Sequence, residues 1–150
     1  DGNHLSDPSL EGEARAMKKS LEEANIDFAD IQYINTHGTS SPLGDETELA
    51  AIKAVFKNQV KNIYINSTKS MIGHCIYSAG IIELIATVLQ MNESFLHPNL
   101  NLDEPIDSDF LFVDKQIKKV SIEYALKNSF GFGGMNSSIV LKKFLGENYL

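Results

Sequence analysis

NIYINSTKSMIGHCIYSAGIIELIATVLQM, residues 62–91, decides how the chain is read. Its first five residues, Asn62 to Asn66, form a short run of β-formers between turn residues, the pattern of a buried strand. STKSMIGH follows as a loop, and SAGIIELIATVLQM reads as a helix. The same order stands one unit earlier in the chain. IQYIN (31–35) is a strand and THGTSSPLG (36–44) a loop of small residues. DETELAAIKAVF (45–56) is an amphipathic helix with acids in its first turn, where the positive end of the helix dipole favours them. Tyr33-Ile34-Asn35-Thr36 is echoed by Tyr64-Ile65-Asn66-Ser67. Four residues match too readily to prove a repeat, so topology carries the argument. Strand, loop and helix twice in succession predict neighbouring, parallel strands of one α/β sheet. Parallel neighbours place both loops at one edge, outside the carboxyl ends of the strands, where open α/β sheets bind ligands.

The flanks fit the same class. Ala14, Met17, Leu21 and Ala24 recur at helical spacing behind Pro8, Glu11 and Glu13, predicting a first helix that ends near Asn25. HPNLNLDEP (97–105) is irregular and DFLFVD (109–114) a short strand. YALKNSFGFGGMNSSIVLKKF (124–144) reads as strand, glycine-rich turn and strand, a hairpin. Neither a linker nor a low-complexity segment interrupts residues 1–150, which read as one domain.

Composition narrows the function classes. With 43% hydrophobic and 22% charged residues, the chain is an ordinary globular sequence with enough length for a sizeable core. A net charge of −7 argues against nucleic acid and anionic membrane as partners. One cysteine excludes an internal disulfide and fits a reducing, cytoplasmic setting. No signal peptide or membrane-spanning run is expected. The chain begins at Asp1 without methionine, so it is expected to be a piece of something longer.

Chemistry concentrates at the strand ends. His37 follows the first strand, and Lys69 and His74 follow the second, so all three are expected to face one site. The bland alternative leaves each histidine as a polar loop residue with one hydrogen bond. Glu83 lies in a helix that is apolar on nearly every face, which predicts a buried helix. A carboxylate there requires a cationic or hydrogen-bonding partner, for which Lys69 is the candidate, or else a narrow exposed stripe. GFGGMNSS (131–138) can aim backbone N–H groups at an anion, or can simply make a tight turn; it lacks the spacing of a P-loop. Cys75 follows His74 directly. Consecutive side chains point apart, which suits a nucleophile–base pair poorly, and a lone cysteine readily serves as a small buried hydrophobe. His37, His74 and Cys75 lack the spacing of a known metal motif, and no metal is expected. His4 and His97 add little by themselves.

Three blocks together resemble the β-ketoacyl-[acyl carrier protein] synthases: INTHGTSSPLGDETELAAI (34–52), NSTKSMIGHCIYSAGIIELI (66–85) and NSFGFGGMNSSIVLKK (128–143). They fall in that family's order and spacing, and DGNHLSDP (1–8) and HPNLNLDEP are similar to it as well. The resemblance covers essentially the whole chain. It implies an α/β, thiolase-like layered α/β/α half with a mixed five-stranded sheet, corresponding to the C-terminal half of such an enzyme. The nucleophilic cysteine belongs to the N-terminal half, so Cys75 is not its counterpart and the isolated chain is expected to be inactive.

The resemblance also implies roles. His37 and His74 match the two active-site histidines, Lys69 the electrostatic lysine and Glu83 its buried partner. Phe132 matches the residue that gates the acyl pocket, its N–H part of the oxyanion hole. Thr39 and Ser41 match hydroxyls that bind the phosphopantetheine arm, with Phe130, Gly131 and Gly133 beside them. Ser41 stands where threonine is usual, and Tyr77 where the family has a small residue, which narrows the acyl pocket or alters the helix start. The implied reaction is decarboxylative Claisen condensation of malonyl-acyl carrier protein with an acyl-enzyme thioester, in fatty acid or polyketide synthesis. No cofactor is expected beyond the phosphopantetheine carried by the acyl carrier protein. Implied partners are that protein, the N-terminal half, whose absence would expose a large apolar face, and a second copy in a homodimer. The alternative is the same half of a non-catalytic partner subunit of the chain-length-factor type.

Overall fold

The computed structural model describes residue 1, residues 4–144 and residue 146. Gly2 and Asn3 of the opening phrase lie outside the described residues. In chain order the elements are α1 (Leu10–Ala24), β1 (Tyr33–Asn35), α2 (Pro42–Phe56), β2 (Tyr64–Asn66), α3 (Lys69–Ile72), α4 (Ala79–Glu93), β3 (Phe95–Leu96), β4 (Leu111–Phe112), β5 (Lys118–Lys119), β6 (Tyr124–Gly131) and β7 (Met135–Lys142).

Local chemistry sets the helix ends. Ser9 caps α1, its hydroxyl accepting from the Gly12 N–H at 3.2 Å. Asn25 closes the helix in the left-handed region at φ 52°, where asparagine is tolerated. Ser41 caps α2 and Pro42 occupies its first turn, where no N–H is needed. α2 therefore begins three residues before the acids that mark it in the sequence.

Five strands form one mixed sheet in the order β4-β2-β1-β6-β7. β1 runs parallel to both β2 and β6, β4 runs parallel to β2, and only β7 is antiparallel. The echoed phrases stand side by side in register, Tyr33 opposite Tyr64, Ile34 opposite Ile65 and Asn35 opposite Asn66. β3 and β5 make a separate antiparallel pair. Alternation divides the core between the two faces of the sheet. Ile34, Ile65 and Leu126 pack with Met17, Leu21, Ile52 and Phe56 under α1 and α2. Tyr33 and Ala125 face the other way, with Met91, Leu96, Val113 and Ile122. Each fully buried isoleucine or leucine contributes about 1.5–3 kcal/mol.

α4 departs from expectation. Its inward face carries Glu83, Thr87, Gln90 and Met91, all buried, while Ile81, Ile85 and Leu89 are each more than half exposed. Periodicity predicts a helix covered on every side. Among the described residues the outer apolar stripe is left more than half uncovered, and Tyr77 beside it is fully exposed.

Candidate active site

Because β1, β2 and β6 are mutually parallel, the segments that leave their carboxyl ends share one edge of the sheet. The edge has a buried polar floor made largely from the echoed phrases. Tyr33 donates to Asn66 Oδ1 at 2.5 Å and accepts from Asn35 Nδ2 at 2.9 Å and Gln90 Nε2 at 3.1 Å. Asn35 also donates to Thr68 Oγ1 at 2.8 Å, and Asn66 Nδ2 donates to the His97 carbonyl at 2.8 Å. His97 Nε2 lies 3.1 Å from Thr68 Oγ1, and burial holds its imidazole below the usual histidine range. These contacts tie the floor together, with Asn35 Oδ1 the one buried side-chain oxygen of it left without a hydrogen-bond partner among the described residues. His97 thus has a structural place that its irregular sequence context did not reveal.

Above the floor the first two loops touch. Ser67 Oγ donates to the Gly38 carbonyl at 2.7 Å. Gly38 sits at φ 39°, and a Cβ there would lie 2.8 Å from Ser67 Cβ. Only glycine permits both the conformation and the approach. Glu48, buried on α2, accepts from the His37 and Gly38 N–H groups at 2.9 Å each and from Asn128 Nδ2 at 3.1 Å. Burial raises the Glu48 pKa even against those donors. Glu13, buried on α1, is pushed up to about 8 by burial and then by the Glu48 charge.

His37, Lys69, His74 and Glu83 converge as expected. The His37 and His74 rings meet edge to face with centroids 5.8 Å apart. The Lys69 ammonium contacts Glu83 Oε1 at 2.5 Å, the His37 carbonyl at 2.5 Å and His37 Nδ1 at 3.4 Å. On the second loop the Ile76 N–H donates to His74 Nδ1 at 2.9 Å. Ile76 adopts φ 49°, a costly conformation for a β-branched residue and one that occurs where local geometry is tightly determined. Both Nδ1 atoms face a donor, so in the neutral rings the proton sits on Nε2. Among the described residues neither Nε2 has a hydrogen-bond partner. Burial, followed by the positive charges of Lys69, Lys127 and His74, lowers the His37 pKa to about 3. His37 is therefore a neutral N–H donor at ordinary pH.

Lys127 was not singled out by the sequence. It is fully buried on β6, with Nζ 2.7 Å from Glu83 Oε2, 3.0 Å from Ser129 Oγ and in contact with the Asn128 carbonyl. Glu83 thus bridges two lysines and occupies no exposed stripe. The available signal was strand alternation, which puts Lys127 on the same face as Ala125 in a strand flanked by apolar residues.

The remaining candidates divide. The Phe130 ring lies 6.0 Å from the His37 ring, whereas Phe132 is 72% exposed at the hairpin tip. Gly133 and Gly134, at φ 76° and 74°, make that tip, and Gly131 pairs with Met135 below it. Thr39 lines a cleft of about 390 Å³ together with Lys69, Ser70, His74 and Asn99. The Ser41 hydroxyl accepts from the Gly44 N–H at 3.3 Å and caps α2, while keeping its own proton to donate. Cys75 is half-buried, with Sγ 3.9 Å from the Gly73 carbonyl. Among the described residues, no group of three or more histidine, cysteine or carboxylate side chains is arranged to hold a metal ion, and no helix is long and apolar enough to cross a membrane.

Residues 1–103 match the family model of the beta-ketoacyl synthase C-terminal domain. The chain is 48% identical over 142 residues to the polyketide biosynthesis malonyl-ACP decarboxylase PksF of Bacillus subtilis (strain 168), covering 95% of this chain and 34% of that protein. It is 42% identical over 147 residues to the 3-oxoacyl-[acyl-carrier-protein] synthase 2 of Vibrio harveyi, covering 95% of this chain and 35% of that one. A β-ketoacyl synthase from Burkholderia phymatum STM815 has a TM-score of 0.89 at 34% identity, over 96% of this chain and 35% of that structure. The ketosynthase of a type II polyketide system, solved in complex with its acyl-carrier protein and bound to the hexaketide, gives the same TM-score and identity, over 96% and 36%. The chain spans about a third of the length of the curated relatives it matches.

Proposed function

The chain belongs to the β-ketoacyl synthase family, with the thiolase-like fold of its structural neighbours, and on that premise we propose that it supplies the decarboxylating half of a condensing enzyme acting on malonyl-acyl carrier protein. The observation that carries this reading is the imidazole pair, 5.8 Å apart, with both Nδ1 atoms facing donors. Each Nε2–H is then available to the malonyl thioester oxygen. As the bond to the carboxylate breaks, carbon dioxide leaves and the electron pair passes into the thioester enolate, whose oxygen gains charge between the two donors. Preorganised donors in a site shielded from water are worth about 3–4 kcal/mol each. His37, held neutral by burial and the neighbouring cations, makes this donation from Nε2–H alone. Lys69 and Glu83 hold the site's geometry and field and transfer no proton.

In condensation the enolate carbon attacks an acyl thioester on a cysteine of the N-terminal half, forming the carbon–carbon bond and expelling the thiolate. The Phe132 N–H takes part in holding the intermediate oxyanion, and its exposed ring closes over the acyl pocket. Thr39 and Ser41 bind the phosphopantetheine arm, beside Phe130, Gly131 and Gly133. The outer stripe of α4, with Ile81, Ile85 and Leu89 exposed, packs against the N-terminal half. The full-length protein is a cytoplasmic homodimer that works with an acyl carrier protein and needs no cofactor of its own.

A second reading, decarboxylation without condensation, is favoured by the relative named a malonyl-ACP decarboxylase. Both readings use His37 and His74 alike and differ in the nucleophile position of the other half. A non-catalytic chain-length-factor role is disfavoured, since it has no use for two imidazoles held as donors. The test incubates the full-length protein with malonyl- and acyl-acyl carrier protein and follows products by mass spectrometry. β-Ketoacyl product supports condensation and acetyl product alone supports the second reading. Unconsumed malonyl substrate contradicts both.

A further inference from the structure

The geometry points to Lys127 as a positioning residue for malonyl decarboxylation: by holding one oxygen of Glu83 it fixes the Lys69 ammonium against His37. This rests on the decarboxylation reading above and extends it to a residue to which that reading gives no role. Three oxygens surround Lys127 Nζ, namely Glu83 Oε2 at 2.7 Å, Ser129 Oγ at 3.0 Å and the Asn128 carbonyl. The Asn128 carbonyl and Ser129 Oγ accept hydrogen bonds from the ammonium, and Glu83 Oε2 is held as its ion-pair partner without an aligned hydrogen bond. Lys127 and Glu83 are each buried to within 1% of full exclusion, so both charges depend on the contact.

The consequence passes through Glu83. Its oxygens divide between two cations, Oε1 to Lys69 at 2.5 Å and Oε2 to Lys127. Without Lys127 the buried carboxylate has one cation for two oxygens and turns to offer both to Lys69. That pulls the Lys69 ammonium away from the His37 carbonyl at 2.5 Å and from Nδ1 at 3.4 Å, the contacts that place the ring and its proton. The next residue on β6 works in parallel, since Asn128 donates to Glu48, which holds the His37 backbone. Adjacent residues of one strand thus brace both the ring and the backbone of His37.

Charge works in the same direction. The groups facing this cluster are Glu83 from α4, Lys69 from α3, His74 from the following loop and Glu48 from α2, with Glu13 of α1 against Glu48 and Asp45 of α2 acting on Lys69. Lys69 and Lys127 outnumber Glu83 next to His37, and both lower its pKa. Removing Lys127 therefore raises the His37 pKa toward its ordinary value.

The test uses the full-length protein with Lys127→Met, which is close in length and uncharged. The expected result is a fall in decarboxylation kcat of about tenfold or more, little change in KM, and movement of the His37 imidazole titration to higher pH by about one unit. Unchanged kcat together with an unmoved His37 titration overturns the proposal. The titration decides it even if the wild type releases no carbon dioxide, a result that would sink the decarboxylation reading instead. Where Lys127→Met does not fold, Lys127→Ala in buffers with ethylammonium reads the same contact. A severalfold recovery of rate, or return of the His37 titration to its original position, supports the proposal, and absence of both overturns it.

Discussion

Lys69 touches Glu83 with one face of its ammonium and His37 with another, at 2.5 Å to the carboxylate and 3.4 Å to Nδ1. One cation is thereby held by a buried acid and in turn determines which nitrogen of an imidazole carries the proton. The second imidazole reaches the same tautomer by another route, through the backbone N–H of Ile76.

His74→Ala removes one of the two donors at the enolate oxygen. In the full-length protein it is expected to lower kcat for malonyl decarboxylation by about 10²–10³-fold. Transfer of an acyl group onto the nucleophile of the other half is expected to be retained. Carbon dioxide release and acyl-enzyme formation are read separately by mass spectrometry, and normal decarboxylation in the variant contradicts the assigned role.

Glu83→Gln leaves Lys69 and Lys127 facing each other in a buried site without their shared counter-ion. Breaking a buried charge cluster in this way costs about 3–5 kcal/mol. The urea midpoint of the full-length protein should fall accordingly, and an unchanged midpoint is incompatible with the cluster as described.

Gly38→Ala adds a Cβ where Ser67 Cβ is 2.8 Å away and φ is 39°. The strain is on the order of 1–3 kcal/mol and is relieved by moving the first loop off the second. Because that loop carries His37, decarboxylation should fall by more than thermal stability predicts. Full activity at wild-type Tm would show that the loops need not touch.

Acid and alkali act on different groups. His37 has a folded-state pKa near 3 against an ordinary 6.5, so below pH 6.5 the unfolded chain takes up a proton that the folded chain refuses. Its contribution is present above 6.5 and is lost as pH falls toward 3. Glu13 has the opposite sign, raised from 4.5 to about 8, so its contribution is present below 4.5 and is lost as pH rises through 8. Glu13→Gln should therefore raise Tm, relative to wild type, more at pH 8 than at pH 5. Equal shifts at the two pH values would contradict the buried, protonated Glu13.

Much of this arrangement was legible because it is local or periodic. The two Tyr-Ile-Asn phrases gave paired strands, and their matched ends gave the shared edge holding His37, Lys69 and His74. Glu83 was legible as a misfit in an apolar helix. Lys127 was not, because a lysine in a hairpin strand ordinarily points to solvent, and only the pairing of β6 with β1 makes that strand central. The inverted face of α4 was hidden for a related reason. An all-apolar pattern does not say which side the same chain covers, and here the polar residues Glu83, Thr87 and Gln90 turn inward. Of the two phenylalanines flanking Gly131, the family resemblance assigned the gating role to Phe132 and only a substrate-binding place to Phe130, yet Phe130, at the end of β6, is the ring beside His37. A change from strand to turn decides which ring faces in, and the turn's left-handed glycines are not resolved by spacing alone.

The most direct measurement is the nitrogen spectrum of the full-length protein labelled at histidine, recorded near neutral pH. His37 and His74 should each show a directly bonded proton on Nε2 and none on Nδ1. A proton on Nδ1 of either ring, or on both nitrogens of His37, would contradict the pair of neutral donors on which the proposed chemistry depends.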